Sequence, residues 1–308
     1  MSTRLLPRLA ATLLLALGLQ AGAHAEPASA ESVRALHEAL GSARYTREAM
    51  DQLERQHAAA IANVAEGEAR AAKAREHERV SAALRKLMAW EQLEPMAVTA
   101  YQAHLEAADV AALQRFLATP AGRLYVDKYT PAILQGTMAS MALAGERAEL
   151  VSMAVFDEGE MPAAMPAPPA PVGKREQAAS ALVDAFAREQ FALQMREMDS
   201  GMKEQLRLLA PALGLDDDAE IEAKLDAFAA AFRADANFDA YMRPLVGALA
   251  AQLDETELAA LSTAFARPEW KALEAKLDRA NEAFQEALDT DLQQRIIPGV
   301  LKAAAAGD

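Results

Sequence analysis

One eleven-residue stretch of this sequence occurs twice, and the repetition restricts what the chain can fold into. Residues 103–113 (AHLEAADVAAL) return 148 positions later as residues 251–261 (AQLDETELAAL). The register then holds without a gap to Pro120 and Pro268. Two alanine-rich helices can resemble each other by chance, but low complexity alone would not place the matched prolines. The pattern predicts tandem copies of one structural unit.

The composition favours helices in both copies. Aromatic residues make up only 5% of the 308 residues, whereas 52% are hydrophobic. A chain poor in aromatic and β-branched residues and rich in Ala, Leu, Glu, Arg and Met is typical of helical proteins. With no Cys in the sequence, no disulfide can form, so each bundle depends on helix packing. We predict an all-α fold with two helical-bundle units.

A proline-rich stretch separates the two copies. Five prolines lie among alanines between residues 157 and 174, namely Pro162, Pro166, Pro168, Pro169 and Pro171. Prolines at this density cannot sustain a helix and favour an extended spacer, with a ligand for a proline-recognition domain as the rarer alternative. We predict a first helical domain over residues 31–156, a linker over 157–174 and a second helical domain over 175–303.

Residues 1–25 have the pattern of a signal peptide. Arg4 and Arg8 precede an apolar stretch over residues 9–19, and residues 23–25 (AHA) offer a cleavage site near Ala25. The stretch is shorter than the ~20 apolar residues of a membrane span, so a retained anchor is the less favoured alternative. We expect a periplasmic or secreted mature chain without an integral membrane span.

Apolar spacing also places individual helices in the first copy. It predicts a short helix over residues 32–40, a long one from about Thr46 and another over residues 82–93, with Pro95 in the first turn of the next. Residues 129–145 contain no charged side chain. A helix that is uncharged on every side is buried, so we expect this one at the centre of the first bundle.

The segment Thr119-Pro120-Ala121-Gly122 is the most informative local pattern. Thr119 can cap a helix through its hydroxyl, and Pro120 suits the first helical position. Gly122 has no side chain, which allows a neighbouring helix to approach closely. The second copy keeps the proline as Pro268 but has Trp270 in place of the glycine.

These residues carry a family resemblance. The chain resembles the bacterial domain of unknown function 2059 family at Asp109-Val110, Phe116-Leu117, Thr119-Pro120, Gly122-Arg123 and Pro131. The similarity is best over residues 85–145 and weaker over 235–295. The chain departs from the family pattern at Leu117, where an aromatic residue is common, and at Trp270, which replaces the glycine. The resemblance implies an exported all-helical module and brings no reaction, cofactor or catalytic residue.

Motifs of known chemistry are missing from the sequence. It contains no phosphate-binding glycine loop and no G-x-S-x-G element, and the mature chain has four separated histidines, His37, His57, His77 and His104. Asp216, Asp217 and Asp218 lack the Gly and Glu positions of a calcium loop and are better explained as acidic residues at a helix start, ahead of an apolar stripe at Ile221, Leu225, Phe228 and Phe232. We assign no catalytic, cofactor-binding or metal-binding residue.

The net charge of −14 argues against nucleic acid as a partner, because phosphate-backbone binding needs a cationic surface. The sequence favours an exported, non-enzymatic interaction module whose partner is another protein or an envelope component. The alternative is a carrier of an apolar small molecule or lipid, held in a cleft between helices near Met138, Met141 and Leu143.

Overall fold

The computed structural model describes residues 26–62, 67–156, 160–188, 191, 218–235 and 237–305. Over these residues the chain is helical without any strand, and one isolated bridge joins Pro27 and Glu106. This confirms the predicted all-α fold. None of the described helices is long and apolar enough to cross a membrane. The predicted signal peptide at residues 1–25 lies outside the described residues.

The proline-rich stretch divides the helices into a first and a second half of the chain. The first half contains α1 (Ala30–Leu40), α2 (Ser42–Ala62), α3 (Glu68–Leu87), α4 (Trp90–His104), α5 (Ala107–Leu117), α6 (Pro120–Leu124), a π-helical turn (Tyr125–Tyr129) and α7 (Thr130–Phe156). The second half contains α8 over residues 173–188, α9 (Asp218–Asp235), α10 (Phe238–Gln252), α11 (Glu255–Phe265), α12 (Pro268–Asp291), a π-helical turn (Leu292–Ile296) and α13 (Ile297–Ala305).

The boundary between α3 and α4 differs from the prediction. The helix expected over residues 82–93 is interrupted at Met88, whose N–H donates to the Leu84 carbonyl at 2.8 Å, and at Ala89, which is extended. A new helix therefore begins at Trp90. Pro95 lies inside this helix and not in its first turn, which costs one intrahelical hydrogen bond because proline has no N–H.

The local pattern at Thr119 is confirmed. The Thr119 hydroxyl accepts a hydrogen bond from the Gly122 N–H at 3.1 Å, and Pro120 occupies the first helical position of α6. A Cβ atom on Gly122 would lie 2.1 Å from the Phe116 carbonyl oxygen. The missing side chain thus lets α6 turn directly back onto the end of α5.

Helix boundaries recur at the 148-residue offset. Helices α4 and α10 each have 15 residues, α5 and α11 each have 11, and both α6 and α12 begin at a proline. The loops before α5 and α11 also carry the same capping contacts. The Glu106 N–H donates to Asp109 at 2.9 Å, and the Asp254 N–H donates to Glu257 at 3.0 Å. A common origin of the two halves stays a prediction.

The helices pack into two compact units that do not coincide with the sequential domains 31–156 and 175–303. Among the described residues, unit 1 runs from Lys128 to Ser262, whereas unit 2 joins the chain up to Asp127 with the chain from Thr263 onwards. The difference arises because each half of the chain contributes its long helix, α7 or α12, to the unit that holds the other half's shorter helices.

Unit 1 is organised around α7. This helix packs along α10 and also against α9, so the uncharged segment lies beside helices of the second half and not at the centre of a first-half bundle. A Cβ atom on Gly136 would lie 2.5 Å from the Leu245 Cα atom, so the backbones of α7 and α10 approach each other closely. At the other end of α7, Val151 packs with Phe228 and Phe232 of α9, two members of the predicted apolar stripe, all of which is buried.

Unit 2 is organised around α12, which packs along α4. The largest fully buried side chain of the described residues is Trp270, in the position that corresponds to Gly122. Its ring centroid lies 5.9 Å from that of Phe116 and 5.4 Å from that of Phe265. The indole therefore joins the start of α12 to the ends of α5 and α11. Helix α1 covers α4 and α5, and α13 packs on α3.

The proline-rich stretch over residues 160–172 has no regular secondary structure and lies within unit 1. The Arg147 guanidinium donates to the Ala163 carbonyl at 2.7 Å, and the Met165 N–H donates to Asp235 at 2.9 Å. Arg147 and Asp235 themselves form an ion pair at 2.6 Å whose carboxylate is buried. The stretch is therefore fastened to α7 and α9.

The close approach of α7 and α10 predicts opposite effects for two glycine substitutions. Gly136→Ala places a methyl group against the α10 backbone and should lower the free energy of unfolding by about 1–3 kcal/mol. Gly247 is exposed on α10, and a Cβ atom there would meet no atom of the described residues within 4 Å, so Gly247→Ala should raise the free energy of unfolding by about 0.5–1 kcal/mol. Urea titrations followed by circular dichroism measure both, and equal stability of the Gly136→Ala variant and the wild type would contradict the packing.

Candidate functional site

A cleft of about 200 Å³ opens in unit 2 where α2, the end of α3 and the start of α4 meet. Met88 and Ala89, where the chain passes from α3 to α4, form part of its lining. Its apolar lining comes mainly from Met50, Met88 and Trp90. Its polar lining comprises Thr46, Arg47, Asp51, Arg85 and Glu91. A cleft lined by apolar side chains and by charged groups of both signs is suited to binding an amphipathic group.

The two guanidinium groups of the cleft differ in their partners. Arg85 binds both carboxylate oxygens of Glu54 and lies 3.1 Å from Asp51. The hydrogen bonds from Arg85 lower the pKa of Glu54. This carboxylate therefore stays ionised, and the Arg85 guanidinium is already paired. Among the described residues no ion pair involves Arg47, whose side chain is exposed. Arg47 is therefore the cation of the cleft that can bind an incoming acidic group.

A buried polar cluster lies behind the Trp90 ring. The His37 ring centroid is 5.1 Å from that of Trp90 and 4.5 Å from that of Tyr101. His37 Nδ1 lies 3.0 Å from the Ser42 hydroxyl, and the Tyr101 hydroxyl donates to Asn281 Oδ1 at 2.7 Å. The cluster thus connects the wall of the cleft to α1, α4 and α12.

Burial determines the charge state of this cluster. His37 is 4% exposed, and desolvation lowers the pKa of its imidazole from 6.5 to about 4. Burial likewise raises the pKa of the Tyr101 hydroxyl. Both side chains are therefore neutral near pH 7, and the ring packing needs no buried counter-ion.

The Ser42 and His37 pair has the spacing of a nucleophile and a base, but not the rest of such a site. In catalytic pairs a third group orients the base through its second nitrogen. His37 Nε2 has no hydrogen-bond partner within the described part of the chain. Ser42 follows Gly41, whose left-handed backbone (φ 73°) ends α1. The Ser42–His37 contact thus fastens the last turn of α1 to the first turn of α2.

The other residues considered in the sequence are dispersed. His77 lies near the Ser81 hydroxyl on α3, His104 ends α4, and the side chain of His57 lies outside the described part. No group of histidine, aspartate or glutamate side chains in the described ranges could hold a metal ion. Asp216 and Asp217 lie outside these ranges, whereas Asp218 begins α9.

The residues predicted to hold an apolar ligand do not line this cleft. Met138, Met141 and Leu143 are half-buried on α7 in unit 1, whereas the cleft described above belongs to unit 2 and has different lining residues. Sequence patterns did not identify the cleft. The sequence feature that could have indicated the cleft is Trp90, which follows directly after Met88 and Ala89. It is one of only two tryptophans in the chain.

A family model matches part of the chain. It is described as an uncharacterized protein conserved in bacteria (DUF2059), and it covers residues 91–149. This confirms the resemblance predicted over residues 85–145. The matched segment contains α5, α6 and most of α4 and α7, and thus begins at the edge of the cleft. The comparisons with curated proteins and with solved structures give no match.

The buried imidazole predicts a pH dependence of stability. Because the folded-state pKa of His37 lies below its unfolded value, the unfolded chain takes up a proton between pH 6.5 and 4 that the folded chain does not. Stability should therefore fall as the pH is lowered through this window, by about 3 kcal/mol at pH 4 relative to pH 7 from this group alone. Chemical denaturation of the wild type and of His37→Gln at both pH values measures the difference.

His37→Gln should flatten the pH dependence of stability between pH 7 and pH 4. An identical pH dependence in the wild type and in His37→Gln would contradict the buried neutral state.

Proposed function

We propose that this chain is an exported, non-enzymatic protein-interaction module, and that its cleft in unit 2 binds a short peptide segment of an envelope protein. The observation that supports this most directly is the position of Arg47, which has no ion-pair partner among the described residues, beside the Trp90 and Met50 surface. A segment with an acidic side chain next to an apolar one would match both features.

The size of the cleft favours a peptide side chain over a lipid. Small-molecule sites usually have volumes of roughly 300–1,000 Å³, and this cleft has about 200 Å³. One or two side chains of a partner fit into such a volume. Met50 and Met88 support the same choice, because flexible, polarizable methionine side chains adapt to different apolar groups.

Export is part of the proposal and is argued from the sequence. The charged start, the apolar stretch over residues 9–19 and the AHA sequence before Glu26 favour cleavage and release. Intact mass of the protein recovered from a periplasmic fraction tests this. A mass corresponding to a chain that begins at Glu26 supports export, whereas recovery of the full-length chain from the cytoplasm contradicts it.

The interaction predicts a specific loss of binding on charge reversal in the cleft. Peptides selected from a random display library against the mature chain should bind Arg47→Glu about tenfold more weakly than the wild type, because one charge-assisted hydrogen bond is lost. Fluorescence anisotropy with labelled peptide measures the dissociation constants.

Arg115→Glu is the matched control, since Arg115 is an exposed arginine of the same unit that does not line the cleft. It should bind the selected peptides as the wild type does. Peptides that bind Arg47→Glu with unchanged affinity, or a selection that enriches nothing above the empty matrix, would contradict the proposal. A lipid retained by the purified protein in native mass spectrometry would instead support the carrier alternative.

A further inference from the structure

Two ion pairs repeat between the halves of the chain. In unit 1 the Lys128 ammonium donates to Glu257, and in unit 2 the Lys276 ammonium donates to Asp109 at 2.7 Å. Lys276 follows Lys128 by 148 residues, and Glu257 follows Asp109 by the same number. In one pair the first half supplies the lysine and the second half the carboxylate. In the other pair the second half supplies the lysine and the first half the carboxylate.

The carboxylates of these pairs already have fixed positions. Asp109 accepts the Glu106 N–H at the start of α5, and Glu257 accepts the Asp254 N–H at the start of α11. A lysine that reaches such a carboxylate meets an acceptor that the backbone has already oriented. Each ion pair therefore identifies the short helix beside which a given long helix is packed.

Side-chain size follows the same reciprocal pattern. In unit 1 the small residue of the α7–α10 contact is Gly136 and the large one is Leu245. At the 148-residue offset Gly136 corresponds to Phe284 on α12, and Leu245 corresponds to buried Ala97 on α4. At these equivalent positions the long helix carries the small residue in the first half and the large residue in the second half, and the shorter helices show the opposite order.

We infer that the two halves of this chain are obligate complements: the faces of α4 and α10 are interaction surfaces whose partner is the long helix of the other half. Pairing of α7 with α4 of its own half would place the positions of Gly136 and Ala97 together and leave a gap. Pairing of α12 with α10 would place Phe284 and Leu245 together and overpack the contact. The reciprocal arrangement avoids both.

The halves should therefore stay together when the chain is cut. A protease site inserted after exposed Ala167, in the proline-rich stretch, allows the folded full chain to be cleaved between the halves. The two fragments should co-elute at the mass of the uncut chain in size-exclusion chromatography. Elution as two separate folded fragments would overturn the inference.

Carbodiimide coupling identifies the contacts in the cut protein. The reagent joins an ammonium and a carboxylate that are in direct contact as an amide, with loss of water. Coupling should join the two fragments into one band on a denaturing gel, through Lys128 to Glu257 and through Lys276 to Asp109 or Glu106, which lies 3.3 Å from the same ammonium. Peptide mass spectrometry assigns the linked residues.

The double variant Lys128→Arg and Lys276→Arg is the matched control. Arginine keeps the charge of each pair but forms no amide with the reagent, so these two links should be lost while the fragments still co-elute. Links from Lys128 to Asp109 and from Lys276 to Glu257 would show that each half packs on itself and would overturn the inference. The same coupling on the uncut wild-type chain gives this assignment even if the inserted site prevents folding.

Discussion

Close packing of α7 against α10 determines how the remaining helices can pair. Gly136 brings the backbone of a first-half helix against Leu245 of a second-half helix, at a separation that leaves no room for a methyl group. Once α7 is docked there, the short helices of the first half need another long helix to cover them, and α12 packs along α4. The chain therefore folds without disulfides by covering each half with the other.

Much of the local structure could be predicted from the sequence because it depends on near neighbours. The cap at Thr119, the close turn at Gly122 and the buried stripe of α9 each follow from residues within one or two helical turns. The packing partner of α7 could not be predicted in the same way. An uncharged helix is expected to be buried, but its composition does not say which helix buries it.

The division of the chain shows the same limit. Prolines exclude helix and sheet locally, and residues 160–172 accordingly have no regular secondary structure. They carry no information about which helices pack together, and contacts at Arg147 and Asp235 hold this segment within unit 1. The change in composition along the chain and the division of the helices into packed units thus lie at different residues.

The cleft could not be predicted from the sequence because it also depends on which helices pack together. Its residues come from three helices and from the two residues between α3 and α4, and they are ordinary in type, so that neither Arg47 nor Arg85 stands out in a chain with 31 basic residues. Only the structure shows that Glu54 and Asp51 occupy Arg85 and that Trp90 separates the cleft from buried His37. The polar cluster behind the cleft also depends on Asn281, which is distant in sequence and belongs to the other half.

Hydrogen exchange in a variant perturbed at the α7–α10 contact shows whether α7 packs on the second half of the chain and not on its own half. Gly136→Ala should lower amide protection in α7 and α10 together, because these two helices share one packing contact. Helices α4 and α12 should lose less protection than α7 and α10. A loss of protection shared by α7 and α4, with α10 unchanged, would contradict the exchange of long helices between the two halves.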